Sequence, residues 1–152
     1  MIQTKTEISI DALGRWFYRD AEITQPDVLK YFKQNLYRSD RYYILNIFGD
    51  LREEGDLDRV LACPVLAISA TFKDNSFEFY LDSEERLTVL QSEIHLSGMD
   101  CLFFVHPRGF PVRLKTSAMG HVSEYLTGSE DAPVWKNGET LIRSQIDGLL
   151  QP

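Results

Sequence analysis

Apolar positions come in short runs separated by polar turns, and twice such a pattern leads directly into a helical one. Ile8-Ser9-Ile10 and Trp16-Phe17-Tyr18 flank the turn Asp11-Ala12-Leu13-Gly14, and a helix opens near Thr24-Gln25-Pro26-Asp27. Cys101 to Val105 and Phe110 to Leu114 flank His106-Pro107-Arg108-Gly109, and a second helix opens near Thr116. This repetition predicts a fold that uses one hairpin–helix motif twice.

The first helix carries Val28, Leu29, Phe32 and Leu36 at helical spacing and is expected to end between Tyr37 and Asp40. Thr24 and Asp27 form a candidate capping pair, and Pro26 suits the first turn, where no N–H is needed. The second helix places Ala118, Met119, Val122, Tyr125 and Leu126 on one stripe.

Strands are expected at 41–48, 61–72, 77–81, 87–90 and 94–96, with the acidic segment 49–59 as a surface loop. Pro64 cannot donate to a ladder, so it belongs at a strand start or edge. Asn137-Gly138 between Val134-Trp135 and Thr140-Leu141-Ile142 is the strongest hairpin signal, and a last helical turn is expected over 144–150.

Roughly seven to nine short strands against two main helices, joined by short polar turns, predict an α+β fold with antiparallel sheets. The length fits a single domain over 1–152, with tandem sub-units at about 8–95 and 96–152 as its internal division. Aromatics make up 12% of the residues, which favours a sheet-rich core.

With 16 basic and 23 acidic residues, the net charge is −7. Phosphate-rich partners require clustered cations, so neither nucleic acid nor an anionic membrane surface is an expected partner. Residues 1–7 have no apolar signal core, and no apolar run nears the roughly 20 residues that span a bilayer. The expected compartment is the cytoplasm. Cys63 and Cys101 lie in apolar runs, which favours buried thiols, with a disulfide as the alternative.

No catalytic signature is present: no nucleophile elbow, phosphate loop or dinucleotide fingerprint. His95, His106 and His121 are too far apart in the chain for a metal site on one element, so no metal or cofactor is expected. The best ligand-binding candidate is the second turn, where His106 and Arg108 stand beside Arg113 and Lys115. Guanidinium groups there suit a carboxylate or phosphate, against the plainer reading of an ordinary charged hairpin. Trp16, Tyr18 and Tyr31, with Tyr37, are candidates for an aromatic protein interface, or for packing of a thin sheet. The terminal Asn137-Gly138 hairpin is a candidate edge for self-association into a homo-oligomer.

Three segments resemble one bacterial family. Gly14-Arg15-Trp16-Phe17-Tyr18 with Ile23-Thr24 is similar to the G-x-W-x-Y…I-x-R opening of the proteins grouped as domain of unknown function 1285 (DUF1285). Val60-Leu61-Ala62-Cys63-Pro64-Val65-Leu66-Ala67 resembles their V-E-D-A-P-F-L-A segment, and Gly109-Phe110-Pro111-Val112-Arg113-Leu114 their G-L-E-A-R-L strand. Leu61-Ala62 replaces the family's acidic pair, and Gln25 stands where the family has Arg. The resemblance implies an α+β fold with repeated motifs and a role in signalling, and it transfers no catalytic residue. The functional expectation is a non-enzymatic module binding a partner protein or small molecule in bacterial signalling or regulation. The alternative is an enzyme with a dispersed His/Arg site acting on a small anionic substrate.

Overall fold

Side-chain alternation along short strands assembles mixed sheets against which two short helices pack. The computed structural model describes residues 1–98, 101–129 and 131–144. The chain enters through β1 (Ile2–Lys5), β2 (Ile8–Ile10), β3 (Trp16–Tyr18) and β4 (Ala21–Glu22), then α1 (Pro26–Gln34). β5 (Leu36–Arg38), β6 (Tyr42–Phe48), β7 (Leu51–Asp56) and β8 (Arg59–Val60) follow. Next come β9 (Leu66–Lys73), β10 (Ser76–Leu81), β11 (Arg86–Leu90), β12 (His95–Ser97), β13 (Leu102–Val105) and β14 (Pro111–Leu114). The chain continues through α2 (Thr116–Ser123), β15 (Leu126–Thr127), β16 (Val134–Trp135) and β17 (Ile142–Ser144).

A seven-stranded sheet has the order β11-β10-β9-β14-β13-β12-β17, and two four-stranded sheets run β1-β7-β6-β5 and β4-β3-β2-β8. The α+β class holds, but the sheets are mixed rather than antiparallel. β1 runs parallel to β7, β2 to β8, β9 to β14 and β12 to β17. These pairings join residues as distant as Ile2 and Glu53, or Leu66 and Arg113. Local turn chemistry determines antiparallel neighbours only; a parallel pair needs a long crossover that no short motif announces.

Helix α1 starts at Pro26, but its N-cap is Gln25 and no side chain caps it. The Thr24–Asp27 pair therefore does not form: the helix begins one residue after the position that such a pair would cap. Asn35 ends the helix, its side-chain amide donating to the Tyr31 carbonyl at 2.8 Å. The expected extension to residues 37–40 is replaced by β5, which buries Leu36 opposite Ile44 of β6.

The segment expected as an acidic loop, 49–59, instead contains β7. Gly49 has φ +59, as the first residue of a two-residue hairpin turn with Asp50, and Phe48 pairs with Leu51. The carboxylates of β7 are balanced from outside the segment: Arg41 donates to Glu54 at 2.5 Å and to Asp56 at 2.6 Å. Further along, the strand expected over 61–72 begins only at Leu66, as β9; β8 precedes the expected segment, and Pro64 lies between the two strands. The turn between β9 and β10 forms as expected, with Asp74 and Asn75 both at positive φ.

The Asn137-Gly138 turn also forms, closed by the Gly138 N–H on the Trp135 carbonyl at 2.9 Å. Its flanks, however, do not make a hairpin ladder. β16 pairs with β15, and β17 pairs with β12. Burial of Trp135 against Phe77, with ring centroids 5.9 Å apart, decides this. Among the described residues, both flanks are terminal strands of their sheets: β16 lies beside β15, and β17 ends the seven-stranded sheet. Ser144 ends β17, and the rest of the terminal turn expected over 144–150 lies outside the described residues.

One apolar cluster runs from Ile8 to Leu141 and joins all of these layers. Its largest buried side chains are mostly aromatic: Phe79 stacks on Phe104 at 4.8 Å, and Trp16 on Phe32 of α1 at 6.2 Å. Ala118 and Val122 seat α2 on this core. Cys63 is buried, and burial pushes its thiol up to about 12, where it acts as a small hydrophobe. Cys101 is half-buried.

Candidate functional site

The turn singled out from the sequence is built into the interior. The His106 N–H donates to the Phe110 carbonyl, and the Gly109 N–H to the His106 carbonyl, both at 2.8 Å. The Arg108 N–H donates to His106 Nδ1 at 3.0 Å, so the neutral imidazole carries its proton on Nε2. That ring is 3% exposed and stacks on Phe110 at 4.5 Å. Its Nε2 lies 3.7 Å from Glu85 Oε1 and has no hydrogen-bond partner among the described residues.

Arg108 joins three parts of the chain. Nη1 donates to Glu85 Oε2 at 2.7 Å and Nη2 to Oε1 at 2.9 Å, a bidentate pair. Nε donates to the Leu36 carbonyl at 2.8 Å and Nη2 also to the Lys33 carbonyl at 2.9 Å, which places the cation at the C-terminal end of α1. Ser83 Oγ donates to Glu85 Oε1 at 2.7 Å, and Lys33 Nζ to Asp82 Oδ2 at 3.1 Å. Burial raises the Glu85 carboxyl, but the His106 edge, Arg108 and Ser83 outweigh it and hold it at about 2.

The four residues proposed as a ligand set therefore do not converge. His106 and Arg108 belong to this internal clamp. Arg113 lies on the opposite face of β14 from the buried Val112 and Leu114, level with Phe103 and Leu66. Lys115 is exposed at the start of α2. Among the interface candidates, Trp16 is corrected to a core residue: it is 2% exposed and its Nε1 donates to the Pro64 carbonyl at 3.0 Å. Tyr18 and Tyr31 are each 47% exposed, and the Tyr31 hydroxyl donates to Asn46 Oδ1. Tyr37 stacks on Tyr43 at 5.6 Å.

His95 Nδ1 lies 2.7 Å from Ser144 Oγ, while His121 is exposed on α2. Among the described residues, no cluster of three or more His, Cys, Asp or Glu side chains is arranged to hold a metal ion.

Two concavities among the described residues each exceed 500 Å³. One, of about 670 Å³, has Leu57 as its single apolar lining residue among those described; the rest include Lys5, Glu7, Arg19 and Asp58. The other, of about 560 Å³, lies between α2 and the seven-stranded sheet. Helix α2 packs on β9 and β14, and so leaves the β12–β13 side of the sheet to the chain that follows it. Leu96 and Leu102 face each other across β12 and β13 and supply part of the floor. Met119, Leu126 and Leu141 extend it, and Ser123, Asp131 and Arg143 stand at the rim. The Arg143 Nη2 donates to the Asp131 carbonyl at 2.5 Å.

Sequence reasoning missed both arrangements. Glu85 reads as one of a pair of solvated acids, and only the fold shows it buried beside Arg108. The cleft draws its residues from 96 to 143, and no local pattern marks them as neighbours.

Mixed sheets and two helices in this order define a protein with the DUF1285 fold. A DUF1285 family protein from Silicibacter pomeroyi DSS-3 superposes with a TM-score of 0.68 at 14% identity, over 91% of this chain and 80% of that one. Another from Shewanella baltica OS155 gives 0.61 at 20% identity, over 78% of this chain and 91% of that one. At these identities the likeness establishes the fold, which is what the three sequence motifs implied. No protein-family profile and no curated protein matches the chain. Among the described residues, no helix is long and apolar enough to cross a membrane.

Proposed function

We propose that this protein is a non-enzymatic binding module that holds a small molecule in the cleft beneath α2, in a regulatory or signalling role in the bacterial cytoplasm. One observation carries this reading: a concavity of about 560 Å³ with an apolar floor and a few polar groups at its mouth. That volume is in the range of ordinary ligand sites, and the polar groups at the mouth make up more than half of the exposed lining. The proposal also takes β2–β3 with α1 and β13–β14 with α2 as two copies of one motif. A common sequence of elements supports this, namely a hairpin, a helix of nine or eight residues and a short strand, with β4 as an extra strand before α1 in the first copy.

The test is a thermal-shift screen of metabolites against the wild type and Ser123→Trp. Ser123 is exposed at the cleft mouth, so the indole fills the cleft without disturbing the core. At a hundredfold excess over Kd, a true ligand stabilises the wild type by about 2.7 kcal/mol, or about 5–10 °C in Tm. The variant should melt at the wild-type temperature alone and show no shift with that compound. A broad panel that shifts neither protein, or shifts both equally, removes the proposal.

A further inference from the structure

The chemistry of the cleft narrows the class of ligand, on the assumption that the cleft is the binding site. Its floor is aliphatic and thioether: Leu96, Leu102, Met119, Leu126 and Leu141. Among the described residues no aromatic ring lines it, although rings are plentiful nearby, where Tyr125 stacks on Phe72 and packs edge-on against Phe77. A floor of this kind gives a nucleobase or a sugar ring no π face to stack on. It suits a flexible hydrocarbon chain, and the methionine adapts to its course.

The rim adds a cation in a defined place. Arg143 stands on β17 directly beside Leu96 of β12, on the floor side of the sheet. Its bond to the Asp131 main-chain carbonyl anchors one nitrogen and leaves the other N–H groups of a planar fork for a carboxylate. The hydroxyl of Ser123 is engaged with the Met119 carbonyl at 2.7 Å. Asp131 also lines the mouth, and its carboxylate works against an anionic headgroup.

We infer that the cleft takes an aliphatic monocarboxylate of medium length, its chain on the leucine and methionine floor and its carboxylate on Arg143. The inference makes Arg143 the specificity-determining residue and Asp131 a negative influence on affinity.

Calorimetric titration with octanoate, octanol and octylammonium tests it. The net charge of −7 calls for measurement near physiological salt, where long-range repulsion is screened. Octanoate should bind the wild type at least about tenfold more tightly than octanol, the size of a charge-assisted hydrogen-bonded contact. Each methylene added between butanoate and octanoate should tighten binding by at most about fourfold. Arg143→Gln should bring octanoate down to the octanol level and leave octanol unchanged, Asp131→Asn should tighten octanoate, and Ser123→Trp should abolish both. Octanol binding as well as octanoate, or octylammonium binding best, overturns the carboxylate assignment and leaves the cleft reading intact. Binding that survives in Ser123→Trp, or no binding by any of the three, overturns the inference. The cleft reading falls only if the metabolite screen is silent as well.

Discussion

Arg108→Ala should lower stability by about 3 kcal/mol, the low end of the range for breaking a buried ion pair. The side chains of Arg108 and Glu85 are 16% and 21% exposed, so water cannot replace the lost partner fully. The substitution also releases the carbonyls of Leu36 and Lys33 from the guanidinium. For a chain of this size that corresponds to a fall in Tm of about 6–12 °C. Arg108→Lys should recover only part of the loss, because a point charge cannot reproduce the fork. Arg86→Ala is the control: it breaks a pair with Glu78 whose members are 72% and 53% exposed, and should cost under about 0.5 kcal/mol. Urea unfolding that finds Arg108→Ala within 1 kcal/mol of the wild type would refute the clamp.

The same pair makes a prediction about acid. Glu85 has its ordinary value near 4.5 in the unfolded chain and titrates at about 2 when folded. A carboxyl lowered on folding contributes stability above its unfolded value and loses that contribution as pH falls through the folded one. The shift corresponds to about 3 kcal/mol, present at pH 6 and disappearing between pH 4.5 and 2. Glu85→Gln should be less stable than the wild type at pH 6 and should lose less on acidification. Parallel slopes for the two proteins in that window would mean that Glu85 is not the group responsible.

Gly109→Ala should cost about 3 kcal/mol or more, for two separate reasons. Gly109 has φ +101, a conformation that L side chains rarely adopt. A Cβ there would also lie 2.2 Å from the Arg38 carbonyl oxygen. The turn cannot retreat freely, since the Arg38 N–H donates to the Arg108 carbonyl at 3.0 Å. Gly49→Ala separates the two causes. Gly49 also has positive φ, but a Cβ there meets nothing within 4 Å, so it should cost about 1–2 kcal/mol. Equal losses for both variants would show that the close approach to Arg38 contributes nothing.

The contrast between legible and illegible features follows sequence distance. The Asp74-Asn75 turn, the start of α1 at Pro26, and the hairpin that leads from Leu102 to α2 are each set by residues within a few positions of one another. Their conformational preferences act before any tertiary contact forms, so they can be read directly. The acidic segment that becomes β7 could not be read, because its counter-cation is Arg41 and its parallel partner is β1. For His106 and Arg108 the residue types are legible in the sequence and their surroundings are not. A charged turn reads as solvent-facing until Glu85 and the end of α1 are known to close over it.

By itself, then, the amino-acid order determined the α+β class, most local turns and helix starts, an aromatic core and the motifs shared with the DUF1285 fold. All of these depend on nearest-neighbour backbone preference and on apolar periodicity. The tertiary structure alone decided the parallel strand pairs, the burial of Trp16 and of the Arg108–Glu85 clamp, and the cleft under α2. Each of these joins residues tens of positions apart, where burial and the pairing of charges outweigh local preference.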